Sequence, residues 1–508
     1  MDNAPEKISA FEKRLKRQVI GKPHRFLAVV PLGFEQTFVQ EMFRRETRDE
    51  RRENGSRHPE PQSGEGSSQD SITYNIIGDG KVEFTAKLVE AWKIVAFSRI
   101  ANRVLMHIAD FKAENFRDLE KKTADIPWEL FLPEERHVDI HVTCKHSRLY
   151  HSDAVAERLQ KVIEGGSLPL ASATSSWRAE PVLSIAEGTR HLAVSSAPPS
   201  AGTPRNAPTQ NVYVTLIDDR CTIWLDLAGE ELYKRGHERF VNDAPLKETI
   251  AAAMLFEAIS TLHIIHHPSS IINYPLSIAL IDPMSGSGTF SLEAAYMANG
   301  FIPGKCRDFA LMHQPAFKQA TWDFLIRRET RDERREKGNN ILKIVTSDIS
   351  EKAVGIIRHN VECSPLAKST TGVQSTTGNQ AAPTITPQHR DFFSYTAAEI
   401  ADACPEGSSP VIVLNPPYGK RLDFDAPNLY TKIGKKIAEL ARELAPLGKP
   451  LTVAILAPKD DPRPGTKYTC TANLLRECPT LDTAKNCDAK CIVTSHGGLS
   501  LNAIFAKI

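Results

Sequence analysis

From residue 276 onward, short apolar runs alternate with amphipathic segments, and polar motifs stand at the ends of several of those runs. Leu276–Ile281 leads into a Gly-rich stretch and then a helix over Ser291–Asn299. Leu342–Thr346 ends on Ser347-Asp348 and precedes a helix over Glu351–Val361. His389-Arg390-Asp391 stands near a further strand end. Val411–Leu414 closes on Asn415-Pro416-Pro417-Tyr418, Leu429–Leu444 is helical, and Leu451–Leu456 is a strand. Strands that alternate with helices build a mostly parallel, doubly wound α/β sheet. Such sheets hold ligands beyond the carboxyl ends of their strands, and the polar motifs fall at that edge.

A chain of 508 residues exceeds one ordinary core, so the block from 276 has company. Residues 1–20 read as an amphipathic helix on Ile8, Phe11, Leu15 and Ile20. Lys13, Arg14, Lys16, Arg17, Lys22 and Arg25 follow one another with no acid between them, which suits either a solvated helix face or an arm that contacts phosphates. A βα unit comes next: Phe26–Val30 is a strand, Pro31-Leu32-Gly33 a turn, and Glu35–Phe43 amphipathic. Tyr74–Ile77 and Val82–Phe84 are strands around the turn Gly78-Asp79-Gly80, and Leu88–Met106 reads as one helix. The decapeptide Arg-Arg-Glu-Thr-Arg-Asp-Glu-Arg-Arg-Glu occurs identically at 44–53 and 327–336. Each copy is almost charge-balanced, so both read as surface-loop inserts, helical or frayed, without a catalytic role. Residues 166–210 and 367–384, rich in Ser, Thr, Ala and Pro, are expected to be unstructured inserts.

Charge and cysteine usage exclude several classes. Lys+Arg 63 against Asp+Glu 62 leaves no global field, so nucleic acid could be met only by local patches. Nine Cys occur without a CxxC pair, which fits reduced thiols rather than disulfides or a zinc site, and no metal is expected. Met1–Glu6 has no basic-then-apolar signal, and no apolar run reaches the roughly 18–20 residues that span a bilayer. The expectation is a soluble, cytoplasmic protein with no membrane partner.

Four motifs carry chemistry. In Asp282-Pro283-Met284-Ser285-Gly286-Ser287-Gly288-Thr289, the two glycines admit close backbone approach, and the following helix offers free N–H groups and a positive dipole end. No Lys-Ser/Thr follows, so a triphosphate loop is disfavoured. Asp348 can accept both hydroxyls of a ribose, or can cap the next helix. Asp391, ahead of Phe392-Phe393, can accept from an adenine amine, or can be a turn residue. In Asn415-Pro416-Pro417-Tyr418 the prolines stiffen the loop and remove two donors. The Asn415 carboxamide and the Pro416 carbonyl can then take two N–H bonds from an exocyclic amine, and Tyr418 offers a stacking face.

Taken in order, these residues resemble S-adenosylmethionine-dependent methyltransferases of the amino-methylating type. Residues 234–251 resemble the segment that precedes the catalytic domain in guanine-N2 methyltransferases of large-subunit (23S) ribosomal RNA. Arg25–Val39, Phe97–Leu105 and Ser147-Arg148-Leu149-Tyr150-His151 resemble that family's N-terminal unit and RNA-binding THUMP region. The resemblance implies a Rossmann-like doubly wound methyltransferase sheet behind an α+β ferredoxin-like and THUMP region. The implied divisions are residues 1–70 with a charged insert, 71–228 as the THUMP-like region with insert 166–210, and 229–508 as the methyltransferase domain with inserts 327–339 and 367–384. It implies methyl transfer from S-adenosylmethionine to guanine N2 of 23S ribosomal RNA, before or during subunit assembly. Asn415, Pro416, Pro417 and Tyr418 would be catalytic. Asp282, Pro283, Ser285, Gly286, Gly288, Thr289, Asp348 and Asp391 would bind the cofactor, and Arg99, Arg103, Arg148, Lys13, Arg14, Lys16 and Arg17 the RNA. Ser285 stands where the family often has Cys. The same amino chemistry on tRNA guanine or DNA adenine, or a non-catalytic ribosome assembly factor, remains open on sequence alone.

Overall fold

The computed structural model describes residues 9–55, 72–134, 137–165, 210–241, 245–263, 277–335, 341–367, 383–418, 425–460 and 469–508. Among them no helix is long and apolar enough to cross a membrane. The insert over 166–210 lies outside the described residues up to 209, and that over 367–384 does so at 368–382.

Seven strands of the N-terminal half form one sheet: β1 (His24–Val29), β2 (Tyr74–Gly78), β3 (Lys81–Ala86), β4 (Arg103–Lys112), β5 (Val138–Lys145), β6 (Gln210–Ile217) and β7 (Arg220–Asp226). Their order is β2-β3-β1-β4-β7-β6-β5, with only β5 and β6 parallel. Because β1 lies between β3 and β4, a division at residue 70 would cut through the sheet. Two cores divide it instead. β5, β6 and β7 pack under the helices Phe116–Ala124 and Ser152–Ile163 around Leu119, Val155, Leu159, Val214 and Ile223. β1, β3 and β4 join a second core that continues into the C-terminal half.

The expected helix over Leu88–Met106 is two elements. The helix ends at Phe97, residues 98–102 turn, and β4 begins at Arg103. Glu41 forces the turn by accepting from the Ser98 hydroxyl at 2.7 Å and from the Arg99 N–H at 2.8 Å. Val104-Leu105-Met106 is a central strand buried throughout, and an unbroken apolar run of that kind cannot be told from helix by period.

The second sheet holds β8 (Ser277–Asp282), β9 (Ile341–Asp348), β10 (Pro387–His389), β11 (Ser408–Leu414), β12 (Thr452–Pro458), β13 (Lys490–His496) and β14 (Leu499–Lys507). The order is β10-β9-β8-β11-β12-β14-β13, parallel from β10 to β12, with β14 antiparallel to both its neighbours. β8 is the centre from which the chain winds first one way to β9 and β10 and then the other to β11 and β12. The crevice at that reversal is where a doubly wound sheet takes a ligand. The β13–β14 hairpin closes on Gly497-Gly498, at φ 59° and 75°, the two-residue turn that needs positive φ twice.

The two halves are riveted together by buried polar contacts. Glu257, 3% exposed on the helix Glu248–His263, accepts from the Thr37 hydroxyl at 2.5 Å and from Lys490 Nζ at 2.8 Å. Both decapeptides continue helices, Glu35–Gly55 and Gln319–Arg335, the helical form of the expectation, with Glu336 of the second copy outside the described residues. The two copies also meet: Arg45 Nη1 lies 2.7 Å from Glu329 Oε1.

Candidate active site

β8 ends on Asp282, which is completely buried. Its Oδ2 accepts from the Ser291 N–H at 3.2 Å and the Ser291 hydroxyl at 2.7 Å, pinning the start of the helix Thr289–Ala298. Oδ1 has no partner. Burial pushes this carboxyl from its ordinary 3.8 up to about 7, against the pull of the Ser291 bonds. The loop after it is held from beneath, with the Ser285 N–H and hydroxyl both donating to the Ser347 carbonyl, at 3.1 and 2.7 Å. Within residues 282–289 only Met284 and Gly286 are not buried. Asp282, Pro283, Ser285, Gly288 and Thr289 therefore shape the loop from within, whereas Gly286 presents backbone outward. Gly286 has φ 57° and open space where a Cβ would stand. Gly288 has φ 81°, and a Cβ there would lie 3.1 Å from two carbons of Ile357.

Asp348 closes β9 beside this loop. Its Oδ2 accepts from the Gly286 N–H at 2.8 Å and its Oδ1 from the Ser350 N–H at 2.9 Å. It does not cap the helix Glu351–Glu362. Ser350 does, its hydroxyl accepting from the Ala353 N–H. A carboxylate has about four acceptor positions, so Asp348 retains capacity for further hydrogen bonds. His389 on β10 is in register with Asp348, which brings Asp391 to the same edge. Asp391 also serves its turn, with Oδ1 accepting from the Phe393 N–H at 3.1 Å.

On the other side of β8, Asn415, Pro416, Pro417 and Tyr418 leave the end of β11. Asn415 is half-buried, Pro416 buried and Pro417 exposed. Tyr418 departs from the expected stacking face. Its ring packs against the main core, its hydroxyl donates to Asn415 Oδ1, and burial raises its phenol well above the usual range.

A further layer was not legible in the sequence. Arg235, 4% exposed, donates from Nε and Nη2 to the two carboxylate oxygens of Glu293 at 3.0 and 3.2 Å, in the middle of the helix Thr289–Ala298. Arg239 pairs with Glu248 and donates to the hydroxyls of Ser287 and Thr289. Asn360 accepts from the Phe240 N–H at 2.8 Å and donates to the Phe240 and Ser287 carbonyls at 2.9 and 3.1 Å. Apart from the Arg239–Glu248 pair, 9 residues apart, these contacts join residues 48 to 120 apart in sequence, beyond any local pattern.

The residues expected to meet RNA divide. Arg99 is 8% exposed and donates to the Tyr296 and Phe301 carbonyls, and Arg103 is tied to Asp226 Oδ2 at 2.6 Å and the Gly229 carbonyl at 2.7 Å. Both guanidiniums serve the interior and do not face a polyanion. Arg148 is exposed beside Glu114 and Asp219. Lys13, Arg14, Lys16 and Arg17 are exposed, with Arg14 2.7 Å from Glu129.

Residues 276–448 match the family described as UPF0020, RMKL-like, methyltransferase domain. The chain is 25% identical over 346 residues to the ribosomal RNA large subunit methyltransferase K/L of Alteromonas mediterranea, covering 68% of this chain and 40% of that protein. The chain thus spans well under half the length of that relative. It is 26% identical over 348 residues to the putative RNA methyltransferase YpsC of Bacillus subtilis, covering 68% of this chain and 73% of YpsC. Among solved structures, SMU.472, a putative methyltransferase complexed with SAH, superposes with a TM-score of 0.61 at 19% identity, covering 96% of this chain and 98% of its own. A possible methylase from Clostridium difficile 630 gives 0.59 at 19%, covering 96% of this chain and 98% of its own. Both share the fold of the methyltransferase domain together with the half that precedes it.

Proposed function

We propose that this protein transfers a methyl group from S-adenosylmethionine to the exocyclic N2 amine of a guanine in large-subunit ribosomal RNA. The observation that carries the proposal is the convergence of Gly286, Asp348, Asp391 and Asn415 on one edge of the sheet, on both sides of β8. The residues fit the cofactor. Open space over Gly286 admits a flat ligand, and Asp348 has acceptor capacity for a ribose. Asp391 has a second carboxylate oxygen for an adenine amine. When bound, S-adenosylmethionine supplies an electrophilic methyl group.

The chain's own contribution is placement. Asn415 Oδ1 already accepts from Tyr418, and a carbonyl oxygen has a second lone pair for an N–H of the target amine. The Pro416 carbonyl accepts the other. Two bonds of this kind hold the amine with its lone pair directed at the methyl, which is where orientation lowers a barrier. A paired guanine hides this edge, so the base must be unstacked first, which favours an RNA that is not yet fully assembled. The half-sheet built on β5, β6 and β7 is the THUMP-like docking region, with Arg148 and the arm bearing Lys13, Arg14, Lys16 and Arg17 as its phosphate contacts. The site of action is the cytoplasm.

Nucleoside mass spectrometry on ribosomal and transfer RNA from a strain lacking the gene tests this. Loss of N2-methylguanosine from large-subunit ribosomal RNA alone is the expected result. Loss from transfer RNA only, or no change in either pool, would overturn it.

A further inference from the structure

Arg239 is a cation in an electrostatically unfavourable place. Its side chain is only 9% exposed, and its guanidinium sits at the first residues of the helix Thr289–Ala298, donating to Ser287 and Thr289. The positive end of a helix dipole repels a cation and attracts an anion. Glu248 offsets the charge of Arg239 itself, and of the N–H groups in the first turn Asp282 takes that of Ser291. Gly288, at the N-cap, has no side chain to cap it. The Arg239 Nε–H is buried with no partner, and a buried donor left unmade costs free energy unless something arrives to take it. The position is also enforced. Asn360 holds the Phe240 backbone next to Arg239 from both its N–H and its carbonyl, and holds the Ser287 carbonyl as well.

A buried guanidinium with a spare donor, beside a serine hydroxyl at the start of a helix, has the chemistry to take one carboxylate. The loop has two sides: Asp348 bonds it at Gly286, and Arg239 bonds it at residues 287 and 289. A ligand whose ribose is held by Asp348 would lie along the loop that Arg239 bonds one to three residues further on. We infer that Arg239 recognises the carboxylate of the methionine half of S-adenosylmethionine, an inference that rests on the cofactor assigned above.

The test is binding to the full chain without RNA. S-adenosylhomocysteine carries the carboxylate, whereas 5′-methylthioadenosine lacks the whole amino-acid end. In calorimetry, Arg239→Gln should lose roughly 10- to 100-fold in affinity for S-adenosylhomocysteine, the scale of a charge-assisted hydrogen bond. It should bind 5′-methylthioadenosine within about twofold of wild type, since a bond to an absent group cannot be lost. Arg239→Lys should fall between, because a point charge cannot reproduce the fork. Decarboxylated S-adenosylmethionine binding the wild-type protein more weakly than S-adenosylmethionine itself gives the same answer without a mutation. Equal losses for both ligands in Arg239→Gln, or equal wild-type affinity for the acid and its decarboxylated analogue, would overturn the inference while leaving the cofactor in place. A wild-type chain that binds none of these ligands would overturn the cofactor assignment and this inference with it.

Discussion

At Asn415 the carboxamide oxygen already carries one hydrogen bond, from the Tyr418 hydroxyl, before any base is present. That bond fixes which end of the amide faces the crevice. Asn415→Ala should therefore leave cofactor affinity unchanged while single-turnover methylation falls by about 10²-fold or more, the scale of losing an oriented polar group at a reacting centre. Tyr418→Phe keeps the ring and removes only the orienting donor, so its loss should be smaller, roughly 10-fold, and confined to the chemical step. A Tyr418→Phe rate equal to wild type would show that the loop alone orients the amide. Asp282 gives a different signature. With its carboxyl raised to about 7 in the folded chain, the folded state keeps a proton that the unfolded state releases. The stability this contributes is complete below the ordinary carboxylate range and disappears as pH rises through 7. Asp282→Asn cannot titrate, so its stability relative to wild type should improve between about pH 4 and pH 7, by up to about 1.4 kcal/mol per unit, and level off above 7. A pH-independent gap would mean that Asp282 stays ionised throughout.

The loop between β8 and its helix depends on one left-handed residue. Gly288→Ala would place a Cβ 3.1 Å from Ile357 at φ 81°. The conformation alone costs about 1–2 kcal/mol. The expected outcome is a lower melting midpoint together with weaker S-adenosylhomocysteine binding, whereas normal affinity would mean the ligand does not lie on this loop. The methyltransferase strands were readable in sequence because each is a short apolar run ending on a polar motif, and the Gly, Asp and Asn positions at their ends follow from that. Elements whose signals compete were not. Val104-Leu105-Met106 reads as helix until Glu41 is seen to hold the turn before it. β5 carried a period-two signal, with Val138, Ile140 and Val142 buried and Asp139 exposed, and β13–β14 carried a Gly-Gly turn, yet neither was expected as an element. The contacts of Arg235 with Glu293, of Arg239 with Ser287 and Thr289, and of Asn360 with Phe240 could not have been found by pattern, because those partners lie far along the chain.

At the scale of the molecule, one core crosses from the first sheet to the second. Phe34, Phe38 and Phe97 belong to the same cluster as Leu255, Ala258 and Leu262. A fragment beginning at residue 229 should therefore expose apolar surface and aggregate, and size-exclusion chromatography showing a soluble monomer with the melting profile of the full chain would contradict this. Glu257→Ala should cost about 1–3 kcal/mol, chiefly from the Thr37 hydroxyl left unsatisfied in a buried place, as read by urea titration. Half-exposed Lys490 contributes less, because water compensates it. Glu257 also sets a timetable. Lys490 lies 233 residues after it, so at a synthesis rate of roughly 5–20 residues per second the carboxylate waits about 10–50 s for its second partner. β13, the strand that carries Lys490, cannot join the sheet sooner. For that interval on the ribosome the nascent chain holds a nearly complete N-terminal half against a helix whose far side is still bare. The seam between the halves is the last surface to close and the first that a chaperone would meet.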